Sequence, residues 1–375
     1  MNNPRYRTFF LLMTIIVIAS FGCNGQLSPL PSVPSPDFTT TSKPSTSKEM
    51  PTTAEPVTIP TESAKPSATA KLTPALNRMP PISVNSPTLL PGWEQYQLQD
   101  YSLEYVWGTS LSDVFVVGES GTILHWDSNE WTVMDSATAA DLYEVWGTAP
   151  DNVFAVGEHG TILHYDGMFW SPMESSTTER IIAIGGSSSR DIVAFTQDAD
   201  VLIYDGVSWK IMDRKMPQST LLWDAWANSS TNIFLLSVGY IVAEYNMAHY
   251  DGIGWIGLKC QSDDSKAHLL HIWGSSSGNL FAAGDGGVIL RFDGQEWKTI
   301  KDDFPTFVGG GWANSPSDVF VVGWKGVITH YDGETWHYFD NGVSVPIVGV
   351  WGSIDSEIFA VGRGGTILHY TCSGE

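Results

Sequence analysis

Five histidines recur at one place in a repeated phrase of this 375-residue chain: His125, His164, His249, His330 and His369 each stand directly before a Trp or Tyr, in strings such as GTILHY. A row of imidazoles can bind a metal or move protons. If the strings are equivalent strands in neighbouring sheets of a ring, two strand steps of about 4.8 Å outside a central channel, the imidazoles lie roughly 10 Å or more apart. Metal ligands must converge within about 2.5 Å of the ion. The five are therefore expected to be structural hydrogen-bonders. Gly274–Gly278 reads GSSSG, the pattern of a nucleophile elbow, yet it occupies the place of GTSLS in an earlier copy, and an elbow needs a strand-to-helix turn. Arg180, Arg190, Arg214, Arg291 and Arg363 are too dispersed to clamp a carboxylate as a glycan hydrolase of the sialidase type would. The carboxylate pairs Asp198/Asp200 and Asp263/Asp264 read as solvated acidic turns rather than calcium sites. No catalytic residue, metal or cofactor is assigned.

The elements that would position these residues come from an internal repeat. With the Trp of VWG as a ruler, the copies start at Trp107, Trp146, Ile184 (in the decayed string AIGG), Trp226, Trp273, Trp312 and Trp351, spaced by 39, 38, 42, 47, 39 and 39 residues. Each then shows Asp, Asn or Glu before two apolar residues: Asp113, Asn152, Asp191, Asn232, Asn279, Asp318 and Glu357. Each copy parses into four short strands joined by Gly-rich turns, and four antiparallel strands at a period of about 40 residues are the pattern of propeller blades. The expected fold is all-β, a seven-bladed β-propeller. The last copy ends at GTILHYTCSGE without its DGxxW strand, while PGWEQYQL supplies one at the other end. Residues 92–98 should therefore complete the seventh blade and close the ring. The blade tryptophans are expected in the core. Cys260 and Cys372 fall in copies four and seven, too far round a ring to meet within the roughly 7 Å a disulfide allows.

Residues 1–22 join Arg5 and Arg7 to an apolar run of 14, followed at once by Cys23. That layout is a secretory signal. With Ser20 and Gly22 ahead of the thiol it resembles the lipobox of bacterial lipoproteins, which implies acylation of Cys23 and export to the outside of a bacterial membrane. Residues 23–90 form a Pro/Ser/Thr-rich tract with few large apolar groups, expected as a disordered stalk that could extend roughly 200 Å. Residues 91–375 then hold the propeller. They carry 12 basic and 37 acidic side chains, within a net charge of −22 for the chain. Such a surface repels phosphate backbones and anionic lipid, which excludes nucleic acid and leaves the membrane in contact only through the anchor.

The string VWGT…DVFVVGESGTILHW followed by DGETW resembles repeats of bacterial secreted propeller proteins and, more distantly, Asp-box and Ycf48-like propellers. The resemblance covers residues 92–370. It implies the fold and hardly any activity. The spacing of Asp and Trp departs from a true Asp-box by one residue, and the basic surface associated with the assembly factors is absent.

Binding is expected on the face formed by the second-to-third turns and the blade-to-blade connections. There the tips differ from copy to copy, as Glu158-His159, Trp324-Lys325 and Arg363-Gly364 do, whereas turns on the other face repeat. Copy four carries an insertion, SVGYIVAEYN, containing Tyr240 and Tyr245, and its flanking connections are the longest. Near the channel mouth, two residues before the ruler, stand Tyr105, Glu144, Asp224 and His271 as candidate contacts. The expectation is a monomeric interaction module for a protein or glycan, with a glycan hydrolase or an envelope-assembly scaffold as alternatives.

Overall fold

The computed structural model describes residues 83–84, 92–98, 101–213, 221–237, 246–258, 268–301, 303–353 and 357–371. The signal segment, Cys23, the tract ahead of Ser83, Arg214, Tyr240, Tyr245, Cys260, Asp263, Asp264 and Cys372 lie outside the described residues.

The second strand of each repeat shows why a sheet forms and why it must be sandwiched. Asp113–Gly118 reads DVFVVG, and Val114, Phe115, Val116 and Val117 are all fully buried. Consecutive apolar β-branched and aromatic residues suit a strand covered on both faces. The first repeat folds as Leu103–Ser110, Asp113–Gly118, Ile123–Trp126 and Trp131–Val133, in that spatial order from the inside outward. Five further sheets repeat this plan, and their inner strands are Leu142–Ala149, Ile181–Ser188, Leu222–Ser229, Leu269–Ser276 and Val308–Ser315. The seventh sheet is built from both ends of the chain. Ile347–Gly352, Glu357–Gly362 and Thr366–Thr371 are followed outward by Trp93–Gln97, with Trp93 opposite Tyr370 and Gln97 opposite Thr366. Contacts between successive inner strands run right round, including the seventh to the first. The result is a closed seven-bladed β-propeller of four-stranded antiparallel blades.

Closure reproduces a contact found in every blade. The third-strand aromatic packs on the fourth-strand Trp: Trp126–Trp131, Tyr165–Trp170, Tyr204–Trp209, Tyr250–Trp255, Phe292–Trp297 and Tyr331–Trp336, with centroids 4.8 to 5.4 Å apart. Tyr370 and Trp93, more than 270 residues apart in sequence, make the seventh such pair at 5.0 Å. Outside Trp93–Gln97, Ser83–Val84 adds a fifth strand, with Ser83 opposite Gln97. These two residues come from the segment read as stalk, and their pairing places Ser83 at the variable-face end of blade 7.

Neighbouring blades meet through tryptophan and glycine. Each of the six ruler tryptophans reaches a glycine of the following blade. A β-carbon at Gly147, Gly186, Gly311 or Gly108 would lie 2.3 to 3.1 Å from the ring of Trp107, Trp146, Trp273 or Trp351. Trp226 and Trp312 instead donate Nε1–H to the carbonyls of Gly274 and Gly352, at 3.2 and 3.1 Å. The third copy corrects the sequence register by one residue. Gly185, not Ile184, lies opposite Val193 as Trp107 lies opposite Phe115. With glycine in the Trp place, the backbone of blade 4 closes in: a β-carbon there would be 2.6 Å from the carbonyl oxygen of Ala227. Ala227 follows Trp226 where four other copies read Trp-Gly; Ala313 does the same after Trp312, and there the ring of Trp273 packs on Gly311 instead.

These contacts set an expected outcome. Gly311→Ala should lower the unfolding free energy by about 1–3 kcal/mol, because its methyl must displace Trp273. Gly254→Ala, whose β-carbon meets nothing within 4 Å, should change it by no more than about 0.5 kcal/mol. Urea unfolding of both variants checks this, and equal behaviour would remove the wedge from the account.

Candidate functional site

The recurrent histidines are ties inside five of the seven blades. His125, His164, His249, His330 and His369 donate Nε2–H across the sheet to Asp113, Asn152, Asn232, Asp318 and Glu357, at 2.7 to 2.9 Å. Each imidazole also lies on a second-strand phenylalanine, Phe115, Phe154, Phe234, Phe320 or Phe359, with centroids 4.2 to 4.7 Å apart. The acceptor is fixed in turn by the end of the inner strand. Asn152 donates to Thr148 at 2.6 Å, Asn232 to Asn228 at 2.7 Å, and Asp318 accepts from Asn314 at 3.2 Å. Asp318 extends the tie to the next blade, accepting from the Ser353 hydroxyl at 2.8 Å; in blade 3, where Ile203 takes the histidine's place, Asp191 still accepts the Ser230 N–H at 2.9 Å. Blade 5 departs from the pattern with a charged side chain. Its third strand carries Arg291 opposite Phe281, and Asn279 Oδ1 and Arg291 Nε are both buried with no partner among the described residues.

At the channel, a bulge in the inner strand just before Tyr105, Glu144, Asp224 and His271 sets their orientation. All four are half-buried. Glu144 accepts the Ile184 N–H at 2.9 Å and Asp224 the Ile272 N–H at 3.1 Å, each from the inner strand of the following blade. The inner edge of a blade has no further strand to pair with, so these carboxylates satisfy its donors. Asp224 also lies 3.6 Å from His271 Nδ1, bringing two of the four together at the boundary of blades 4 and 5. Tyr105 and Glu144 occupy the same level on blades 1 and 2.

The variable face is a constant backbone carrying different side chains. Glu119–Gly121, Glu158–Gly160, Trp324–Gly326 and Arg363–Gly365 form the same turn, with the middle residues Ser120, His159, Lys325 and Gly364 at φ 54°, 56°, 60° and 70°. The closing glycine is required. A β-carbon at Gly121, Gly160, Gly326 or Gly365 would sit 1.8 to 2.1 Å from a carbonyl oxygen of the adjoining connection. Between blades 2 and 3, Glu158 accepts from Tyr143 and Arg180, both at 2.5 Å, and Arg180 lies over the Tyr143 ring. Burial alone would raise the Glu158 carboxyl, but these hydrogen bonds hold it below the usual range. Burial and the charge of Asp141 push Glu119 the other way, with Arg363 offsetting part of the rise. On blade 6, a cavity of about 380 Å³ opens beside Lys325, lined by Ile328, Tyr338 and Asn341 among others. Asn341 is buried and donates to the Gly326 carbonyl at 2.8 Å, which fixes the cavity wall.

The opposite face repeats in backbone but not in chemistry, which the sequence reading missed. Asp127, Asp166, Asp205, Asp251, Asp293 and Asp332 each accept two backbone N–H groups from their own turn, at 2.7 to 3.0 Å. The donors are the two residues before the Trp of that turn, which hold it through their backbone and so can differ in side chain. In blades 2, 3 and 4 they place Met168, Phe169, Val207 and Ile253 in solvent, 67 to 84% exposed. The signal was present in the strings DGMFW, DGVSW and DGIGW, against SNEW, DGQEW and DGETW elsewhere.

No protein-family pattern matches the chain, and no curated protein matches it. Solved structures do. Ycf48 bound to a D1 peptide superposes with a TM-score of 0.62 at 15% identity, over 79% of this chain and 100% of that one. A catalytically inactive virginiamycin B lyase from Staphylococcus aureus with quinupristin gives 0.62 at 11% identity, over 75% and 99%. The WD40 propeller domain of Doa1 gives 0.60 at 12% identity, over 75% and 98%. At such identities the likeness shows the propeller fold alone, a fold that serves both binding proteins and an enzyme.

The orphaned pair in blade 5 yields a prediction. Arg291→His gives Asn279 Oδ1 the donor that five other blades possess, and should raise the unfolding free energy by about 0.5–1.5 kcal/mol. A thermal melt of the variant measures it; an unchanged or lower midpoint would show that the tie contributes nothing in that blade.

Proposed function

We propose that the chain is a binding module that receives a protein partner on its variable face. One observation carries this reading: four turns of the same backbone conformation, each locked by glycine against the neighbouring connection, present serine, histidine, lysine and glycine at their midpoints. A scaffold that holds geometry constant while changing chemistry is the arrangement of a recognition surface. The cavity beside Lys325 gives that surface one concave point, within the roughly 300–1,000 Å³ range of ligand pockets. Glu144 and Asp224, occupied by neighbouring backbone donors, are positioning residues for the channel rim. No reaction is assigned to the Asp224–His271 pair.

The test reverses charge at exposed tips. In a chain carrying His159→Glu, Asp198→Lys and Lys325→Glu, proteins retained from extract of the native cells should be lost, while Glu130→Lys with Glu334→Lys on the opposite face retains them. Loss on the second pair only would overturn the assignment of the face.

The same proposal places the module outside a bacterial membrane, held by acylated Cys23 through the stalk of residues 23–90. It rests on the signal-like order of basic residues, apolar run and Cys23, with the stalk shortened at its far end by the strand Ser83–Val84. Several acyl chains on one residue exceed the roughly two signals that stable anchoring requires. Cys23→Ser should abolish labelling by radioactive palmitate and move the chain from the membrane fraction to the soluble one. Palmitate incorporation undiminished by the substitution would end the anchor proposal.

A further inference from the structure

Six of the nine large apolar side chains exposed among the described residues lie on three consecutive blades: Met168 and Phe169 on blade 2, Val207 and Ile211 on blade 3, Ile253 and Ile256 on blade 4. All six belong to the third-to-fourth turn or to the outermost strand beside it. They form an arc on the outer rim of the face opposite the variable tips. The fold does not call for them. The turn is held by its aspartate, and blades 1, 5 and 6 make it with Asn129-Glu130, Gln295-Glu296 and Glu334-Thr335. Side chains left 67 to 84% in water contribute almost nothing to the core, so their clustering marks a contact surface.

Charge decides what fits it. Two residues before Met168, Val207 and Ile253 stand Asp166, Asp205 and Asp251, each charge-stabilised by two backbone N–H groups. Lys210 neutralises Asp205 at 2.6 Å. Asp166 and Asp251 have no ion pair among the described residues. A bilayer that took up these prongs would have to dehydrate both carboxylates, and anionic headgroups would be repelled. A second copy of this chain would set acidic rim against acidic rim, in a region with 12 basic and 37 acidic side chains. A protein surface whose apolar residues are framed by Lys or Arg buries the prongs and pairs the carboxylates together.

We propose that the rim of blades 2 to 4 is a second docking surface, for a basic amphipathic segment of a protein partner. Its apolar stripe covers Met168, Phe169, Val207 and Ile253, and its cations meet Asp166 and Asp251. This surface is separate from the variable face, so each can fail without the other.

The test uses the full chain and a fluorescein-labelled basic amphipathic peptide, acetyl-KLLKKLLKKLLKKLLK-amide, followed by fluorescence polarisation. The variant Met168→Ser, Phe169→Ser, Val207→Ser, Ile253→Ser, which removes only exposed groups, should keep its melting temperature and lose at least about tenfold in affinity. Asp166→Asn with Asp251→Asn should weaken binding and flatten its dependence on salt between about 0.15 and 0.5 M. The peptide with every Lys changed to Glu should not bind. Equal binding by the serine variant would reduce the attraction to bulk charge and overturn the proposal. Two further outcomes would also overturn it: flotation of the parent chain, but not the variant, with phosphatidylcholine vesicles, which assigns the rim to lipid, or a dimer in sedimentation velocity that the variant loses, which assigns it to a second copy.

Discussion

The contact on which the propeller depends is a tryptophan ring laid against a glycine of the next blade. Seven radial sheets can share a narrow channel only if their inner strands approach closely, and a β-carbon at Gly147 or Gly108 would already touch the Trp of its neighbour. The ring fills the wedge between two diverging sheets, and the glycine lets the wedge be thin. Where a blade supplies the ring for the one after it and the glycine for the one before, the two stand together, as WG in four copies and as GW at Gly311-Trp312. In the single blade without the ring, Gly185 stands in the place of Trp and the backbones themselves meet, a β-carbon at Gly185 lying 2.6 Å from the Ala227 carbonyl oxygen. A chain of such contacts has to return to its start. Trp93–Gln97 lets it do so by converting two open sheet edges into one paired interior.

Above that contact lies a division of labour by strand. Second strands, buried on both faces, are the core; third-strand histidines tie them to the aspartates and asparagines that end the inner turn. These ties are hydrogen bonds between side chains of the same blade, so they leave the turns at both faces unencumbered. On the variable face, glycine packing fixes the backbone; on the other, an aspartate does. On the second face the residues that carry chemistry outward hold the turn only through backbone N–H groups, so their side chains are free to differ. Freedom of that kind lets a repeat protein differ between blades without loss of its frame.

The repeat, its sevenfold count and the closure by residues 92–98 were legible in the sequence, because DVFVVG and DGxxW are direct requirements of packing and turns. The structural role of the histidines was legible too, since strands two steps from a channel cannot bring their imidazoles to one ion. Less of the candidate site could be read. Glu144 and Asp224 looked like groups facing solvent, and they accept donors from the next blade, a contact made across about 40 to 48 residues that no local pattern announces. Aligning AIGG on VWG sets Ile184 at the ruler position; the true occupant is Gly185, admissible because blade 4 moves in against it. The exposed arc was written in the letters MF, VS and IG, but its meaning depends on three blades being adjacent.

By itself the sequence determined which residues form strands, where each turn must bend and how many blades there are, since these follow from local sterics and from apolar residues spaced to be covered. Tertiary structure decided which polar groups are spent on neighbours and which remain available. It decided also that three apolar tips far apart in sequence share one rim. The physical reason is the same for both: hydrogen bonding across blades and exposure to water depend on the approach of segments separated by a whole repeat, and that approach is set by the closed ring, not by any one copy.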